Sequence, residues 1–216
     1  DNTFGMKIAA LGDTEAMTAP IPPERFGTLC HDAVEWGITH RQKDSQVQNL
    51  QEDGNLFPAG FAPSRAVAKG LEREPLLRAA RLAIKLAQGF LGSAYWKNIA
   101  AHSDACTITV EKPFLLRFDD MLIEGRMDLF VERTDGIDII DFKSDATQDS
   151  ARYAVQLELY RRAAREFAPG KSVRLGIFWL RTAELAWLQS EIGDALLAAA
   201  LREIGGEAAE AADGGV

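Results

Sequence analysis

Residues 124–145 read EGRMDLFVERTDGIDIIDFKSD, from Glu124 to Asp145. Two runs rich in apolar and β-branched residues flank Thr134-Asp135-Gly136, which is the composition of a β-hairpin. Asp-Gly is a strong two-residue hairpin signal, because a type I′ turn needs positive φ at both central positions. With that turn, Thr134 faces Ile137, Phe130 faces Asp141 and Asp128 faces Lys143. Directly opposed residues share a sheet face, so Asp128, Asp141 and Lys143 project together. Met127, Leu129, Val131, Ile140 and Phe142 are sent to the other face as a core. A one-residue slip would separate Asp128 from the other two.

An aspartate on an apolar strand is costly to desolvate unless something shares its charge. Two readings are open. In one, Lys143 pairs with the aspartates across a solvated sheet face, a contact worth about 0–1 kcal/mol. In the other, the two carboxylates hold a hard divalent cation. Mg²⁺ takes oxygen ligands at about 2.0–2.1 Å and keeps waters and substrate phosphates in its shell. A lysine beside it can orient an attacking water and stabilise charge on a phosphate oxygen.

Outward from the hairpin, residues 1–23 are a lead-in with little regular structure (APIPP at 19–23). ERFGTLCHDAVEWGI, from Glu24, sets Phe26, Leu29, Ala33 and Trp36 at helical spacing. Residues 41–64 are polar and Gly/Pro-punctuated, a long loop. Residues 65–99 read as helices, with Gly89 and Gly92 separating LLRAARLAIKLAQGFL from SAYWKNIA. TITVEKPFLLRF, MLIEGRMDLFVE and GIDIIDFK then alternate with a period of two, the pattern of an antiparallel sheet with one solvated face.

A helix follows over 147–167, ended by Pro169-Gly170. SVRLGIFWL and ELAWLQ make another hairpin around Arg181-Thr182-Ala183, a helix spans about 190–204, and 205–216 is a frayed tail. The expectation is α/β: a central mixed β-sheet flanked by helices, in one domain over 24–204. Residues 24–100 are mainly helical, and 104–188 hold the sheet core.

At 216 residues, 47% apolar and 26% charged, the chain has the makeup of a soluble globular domain with a real core. No apolar run nears the roughly 18 residues of a membrane span. Two cysteines, Cys30 and Cys106, cannot build a disulfide scaffold, a four-Cys zinc site or a four-Cys iron–sulfur cluster. A net charge of −8 argues against broad non-specific nucleic-acid binding, while leaving room for a local basic groove or an acidic Mg²⁺ site. There is no G-x-x-x-x-G-K-[ST] phosphate loop. The chain opens on Asp1 without an initiator methionine and is read as a cytoplasmic piece of a longer protein.

Two further pieces sit in order around the hairpin. Gln156 and Tyr160, in YAVQLELY, are i and i+4 and share a helix face. GTLCH, Gly27 to His31, places a histidine on the first helix. Together the pattern resembles the RecB/AddA-like branch of the PD-(D/E)XK nuclease superfamily. GTLCH looks like its G-x-x-x-H helix and EKPF (111–114) like the strand segment leading in. EGRMD looks like its G-x-x-D strand, IIDFKSD its apolar-D-[YF]-K-[ST] strand, and YAVQLELY its Q-x-x-x-Y helix. The resemblance spans roughly residues 24–188.

By that resemblance the fold is restriction-endonuclease-like. The metal ligands are His31, Asp128, Asp141 and the main-chain carbonyl of Phe142, holding Mg²⁺ or Mn²⁺ without an iron–sulfur cluster. Lys143 is the catalytic lysine, and Gln156 and Tyr160 support the site and touch DNA. The resemblance further implies an exonuclease V-type nuclease module, C-terminal to a helicase motor and working with a second helicase-nuclease subunit on single-stranded DNA ends. A stand-alone phage-type exonuclease and a catalytically silent DNA-binding or assembly module are the rivals. For the phosphate track there are two basic clusters: Arg65, Lys69, Arg73, Arg78, Arg81 and Lys85, or Arg161, Arg162 and Arg165. The second is favoured because it follows Tyr160.

Overall fold

The computed structural model describes residues 20–41, 61–189 and 191–213. Most of the lead-in and of the polar stretch 41–64, and the last three residues, lie outside them. Two compact units divide between Ala87 and Gln88.

The first unit holds α1 (Pro23–Arg41), α2 (Arg65–Ala68) and most of α3 (Arg73–Leu91). α1 buries Phe26, Leu29, Cys30, Ala33, Val34 and Ile38, one apolar stripe at three- and four-residue spacing. Its Asp32 Oδ2 accepts from the Ser64 N–H at 3.0 Å, and Arg25 Nη1 donates to the Lys69 carbonyl at 2.6 Å. Two side-chain hydrogen bonds thus tie α1 to the ends of α2.

The second unit is built on a five-stranded sheet in the order β1-β2-β3-β4-β5. The strands are β1 (Cys106–Phe118), β2 (Met121–Arg133), β3 (Gly136–Lys143), β4 (Ser172–Trp179) and β5 (Glu184–Leu188). β3 and β4 are parallel and every other neighbouring pair is antiparallel. A parallel pair needs a crossover of a dozen or more residues, and α5 (Ala154–Phe167) supplies it. The expected mixed sheet flanked by helices is the observed architecture.

Because β3 lies mid-sheet, it is buried from Gly136 through Phe142 and has no solvated face. On one side α5 packs on Phe130, Ile137, Ile139, Leu175 and Ile177, with Leu157 and Ala163 from the helix itself. On the other, Phe90 from the last turn of α3 meets Phe142 at 4.8 Å and Phe178 at 5.0 Å, edge-on. Trp96 of α4 (Ala94–Ala101) closes that side at 5.4 Å from Phe90. α6 (Asp194–Asp213) runs beyond residue 204, where the sequence pattern fades.

The β2–β3 connection differs from the expected type I′ turn. Neither Asp135 nor Gly136 has positive φ, and Phe130 pairs with Ile139 rather than Asp141. Gly136 is a strand residue paired with Ser172 of β4, whose Oγ would lie 2.6 Å from any Cβ added there. The glycine serves close approach of a neighbouring strand instead of turn geometry. The ladder is offset by two residues, and a side-chain period of two leaves the paired residues from Leu129 to Glu132 and from Ile137 to Ile140 on their expected faces. Extending it sets Asp128 across from Asp141, not Lys143.

Candidate active site

Asp128 sits at an irregularity in the β1–β2 ladder. Pairing is regular through Val110–Leu129 and resumes at Lys112–Met127, but Glu111 and Asp128 face each other without a bridge. Glu111 has φ 49°, a left-handed conformation that costs a non-glycine residue about 1–3 kcal/mol and gathers at functional sites. Met127 and Phe130, three apart, both join the core under α5, so β2 changes which residues face that helix at Asp128. This also moves Met127 out of the face on which it was expected. The outcome is a pair of opposed acids whose carboxylate oxygens come within 4.8 Å.

Asp141 and Lys143 arrive from β3 as i and i+2 on one face. Lys143 Nζ lies 2.8 Å from Asp141 Oδ2, and Asp141 is fully buried. Gln156 Nε2 donates to Asp141 Oδ1 at 3.1 Å, and the Gln156 amide and Tyr160 hydroxyl lie 2.6 Å apart. Asp128 Oδ2 accepts the Phe142 N–H at 2.7 Å, which ties the middle of β2 to β3 beyond their last ladder pair, Leu129–Ile140. Phe114 stacks edge-on against Tyr160 at 5.6 Å, and does so over Gly125, where a Cβ would fall 2.7 Å from its ring. The glycine of EGRMD makes room for the ring that backs the tyrosine.

The Tyr160 hydroxyl registers the whole cluster. Burial raises its pKa most, and Asp141, Asp128 and Glu111 each raise it further. Three carboxylates from three strands therefore act on the charge state of one phenol. An all-oxygen acidic donor set of this kind suits a hard divalent cation such as Mg²⁺ or Mn²⁺.

Of the expected site residues, the structure brings together Asp128, Asp141, Lys143, Gln156 and Tyr160. His31 lies half-buried on α1, in the first unit. Phe142 contributes its N–H to Asp128, and its ring belongs to the core on the opposite side. Two residues, Glu111 and Tyr153, went unseen as site residues in the sequence. Glu111 was read only as part of a strand, and its left-handed backbone has no local signature. Tyr153 places its ring 4.3 Å from Lys143 Nζ, and its hydroxyl donates to Asp145. Burial and then that hydrogen bond push the Tyr153 hydroxyl up to about 12.

The arginines after Tyr160 are not an open phosphate track. Arg161 is 3% exposed, with Glu191 at 3.1 Å and Glu158 at 3.6 Å. Arg162 pairs with Glu158 and Asp194, and Arg165 with Glu191. Acids matched to each guanidinium tie α5 to the chain entering α6. The first aspartate of IDIID, Asp138, is likewise structural. It projects away from α5, is fully buried, and is held by Arg174 Nε and Nη2 at 2.7 Å each and by Arg133 at 2.8 Å.

A family model described as the PD-(D/E)XK nuclease superfamily matches residues 6–214. None of the curated proteins matches the chain. Among solved structures, protein VC1899 from Vibrio cholerae is similar at 13% identity with a TM-score of 0.34, over 77% of this chain and 45% of that one. The chain thus spans less than half the length of that protein.

Proposed function

The chain belongs to the PD-(D/E)XK nuclease superfamily, a family of metal-dependent nucleases, and on that premise we propose that it hydrolyses DNA phosphodiesters at the Asp128–Asp141–Lys143 cluster. The observation that carries this reading is the opposed Glu111 and Asp128 carboxylates, within 4.8 Å of each other, on the strands next to Asp141, whose carboxylate has Lys143 Nζ at 2.8 Å. Asp128 and Asp141 would hold the cation, Mg²⁺ or Mn²⁺, with Glu111 beside them. The family resemblance adds His31 and the Phe142 carbonyl. Bound there, the cation supplies Lewis acidity to the phosphate and makes water a better nucleophile.

The chain's own groups do the remaining work. The ammonium of Lys143 sits where negative charge grows on a phosphate oxygen, which it stabilises in a site of low dielectric. Gln156 fixes the carboxylate of Asp141 from one side and meets Tyr160 on the other. Tyr160 stays a neutral hydroxyl, able to donate to a substrate oxygen. The finer reading, an exonuclease V-type module of a RecB/AddA-like helicase-nuclease acting on single-stranded ends, rests on the ordered motifs from GTLCH to YAVQLELY.

Calorimetric titration of Mn²⁺, paired with cleavage of a labelled single strand, tests this. Wild-type protein is expected to bind Mn²⁺ and cut. Asp128→Ala and Asp141→Ala are expected to lose both, and Lys143→Met to keep the metal while losing about 10²–10³-fold in kcat. A folded Asp141→Ala variant that still cuts would overturn the assignment and favour a silent module with activity from a contaminant.

A further inference from the structure

Two basic clusters stand out in this acidic chain, and the structure separates them. The arginines of α5 are neutralised by acids, as described above. Those of α3 are not. Arg78, Arg81 and Lys85 are all exposed, and among the described residues none is in an ion pair or side-chain hydrogen bond. Spacings of three and four residues put them in one stripe about 10 Å long, opposite the buried stripe of Leu76, Ala79, Ala80, Ala83 and Ala87.

Helix physics alone does not account for that stripe. Cations favour the last turn of a helix, where the dipole is negative, yet the last turn of α3 has none, while its first turn carries Glu74 as the dipole prefers. Arg81 and Lys85 are i and i+4, and like charges at that spacing destabilise a helix. Solubility does not require them either, since the chain already carries a net charge of −8. A row of cations kept at a cost to the helix, and without an ion pair among the described residues, has the charge complementary to a polyanion.

We propose that the exposed stripe Arg78–Arg81–Lys85 of α3 binds the phosphodiester backbone of the DNA strand on which the nuclease acts. The inference rests on the nuclease reading for its partner, but on α3 alone for its location. Contacts of this kind are point-charge contacts to phosphate, so they raise affinity without reading sequence.

The test measures binding of a labelled oligothymidylate, in EDTA to prevent cleavage, across a series of KCl concentrations. Cleavage in Mn²⁺ is measured in parallel. For Arg78→Gln/Arg81→Gln/Lys85→Gln, the slope of log K against log salt is expected to be shallower than wild type by about 2, three single-strand contacts at ~0.7 each. Each single glutamine variant is expected to lose about 0.7, which keeps the test open should the triple variant fold poorly. Arg78→Lys/Arg81→Lys should keep the wild-type slope. An unchanged slope in the glutamine variants, with wild type still cutting in Mn²⁺, overturns the stripe and leaves the nuclease standing. A wild-type chain that neither binds nor cuts DNA overturns both.

Discussion

Each of the chain's three tyrosines, Tyr95, Tyr153 and Tyr160, is held in its neutral form by burial and a nearby carboxylate. For Tyr95 the acid is Asp138, for Tyr153 it is Asp145, and for Tyr160 the acids are Asp141, Asp128 and Glu111. A phenol whose pKa is raised on folding keeps its proton in the native state when the unfolded chain, near 10, has lost it. The associated stability is complete below about pH 10 and is lost as pH climbs through the folded values, about 12 for Tyr153 and higher for the other two. Ultraviolet titration of the folded protein should therefore show almost no phenolate at about pH 11, where a denatured sample is nearly fully ionised. One phenolate per chain by about pH 10.5 in the native sample would mean that one of these tyrosines is exposed and far from its acid.

At the scale of elements, α5 has two jobs. Its first turns deliver Gln156 and Tyr160 to the acids, and its later turns hold the chain entering α6 through Arg161, Arg162 and Arg165. Arg161 and Glu158 are both buried side chains, and deleting one member of such a pair leaves an uncompensated charge. Arg161→Ala is expected to cost about 3 kcal/mol in urea unfolding while leaving DNA affinity within twofold. A variant of unchanged stability and much weaker DNA binding would return Arg161 to the substrate surface. The periodicity of YAVQLELYRR showed that these residues share a helix, but not that Glu191 and Asp194, some 30 residues on, would meet them. That pairing belongs to the α5–α6 packing and has no local trace.

At the scale of the whole molecule, the acids gathered in the sheet unit should make stability depend on divalent ions. A ligand that binds only the native state stabilises by about 2.7 kcal/mol at a hundred times its Kd. In a chain of this length about 1 kcal/mol moves a melting transition by roughly 2–4 °C. Saturating Mn²⁺ should thus raise the melting temperature of the sheet unit by roughly 5–10 °C over EDTA. Asp128→Ala/Asp141→Ala should show almost no difference between the two conditions. Equal shifts in wild type and double variant would place the ion elsewhere.

The chain by itself determined the order of its elements and the faces of its strands. Those follow from periods of 2 and 3.6 set by backbone geometry within a few residues. That logic sets Asp141 with Lys143, and Gln156 with Tyr160, on common faces, and a two-residue error in the β2–β3 register left it intact. Only the tertiary structure decided the register, because Gly136 is claimed by Ser172 of a strand 36 residues away. Only packing set Glu111 against Asp128, laid the Tyr153 ring beside Lys143, and showed which basic cluster is neutralised. Each of these depends on which surfaces meet across long loops, and pairing of that kind leaves no period in the sequence to read.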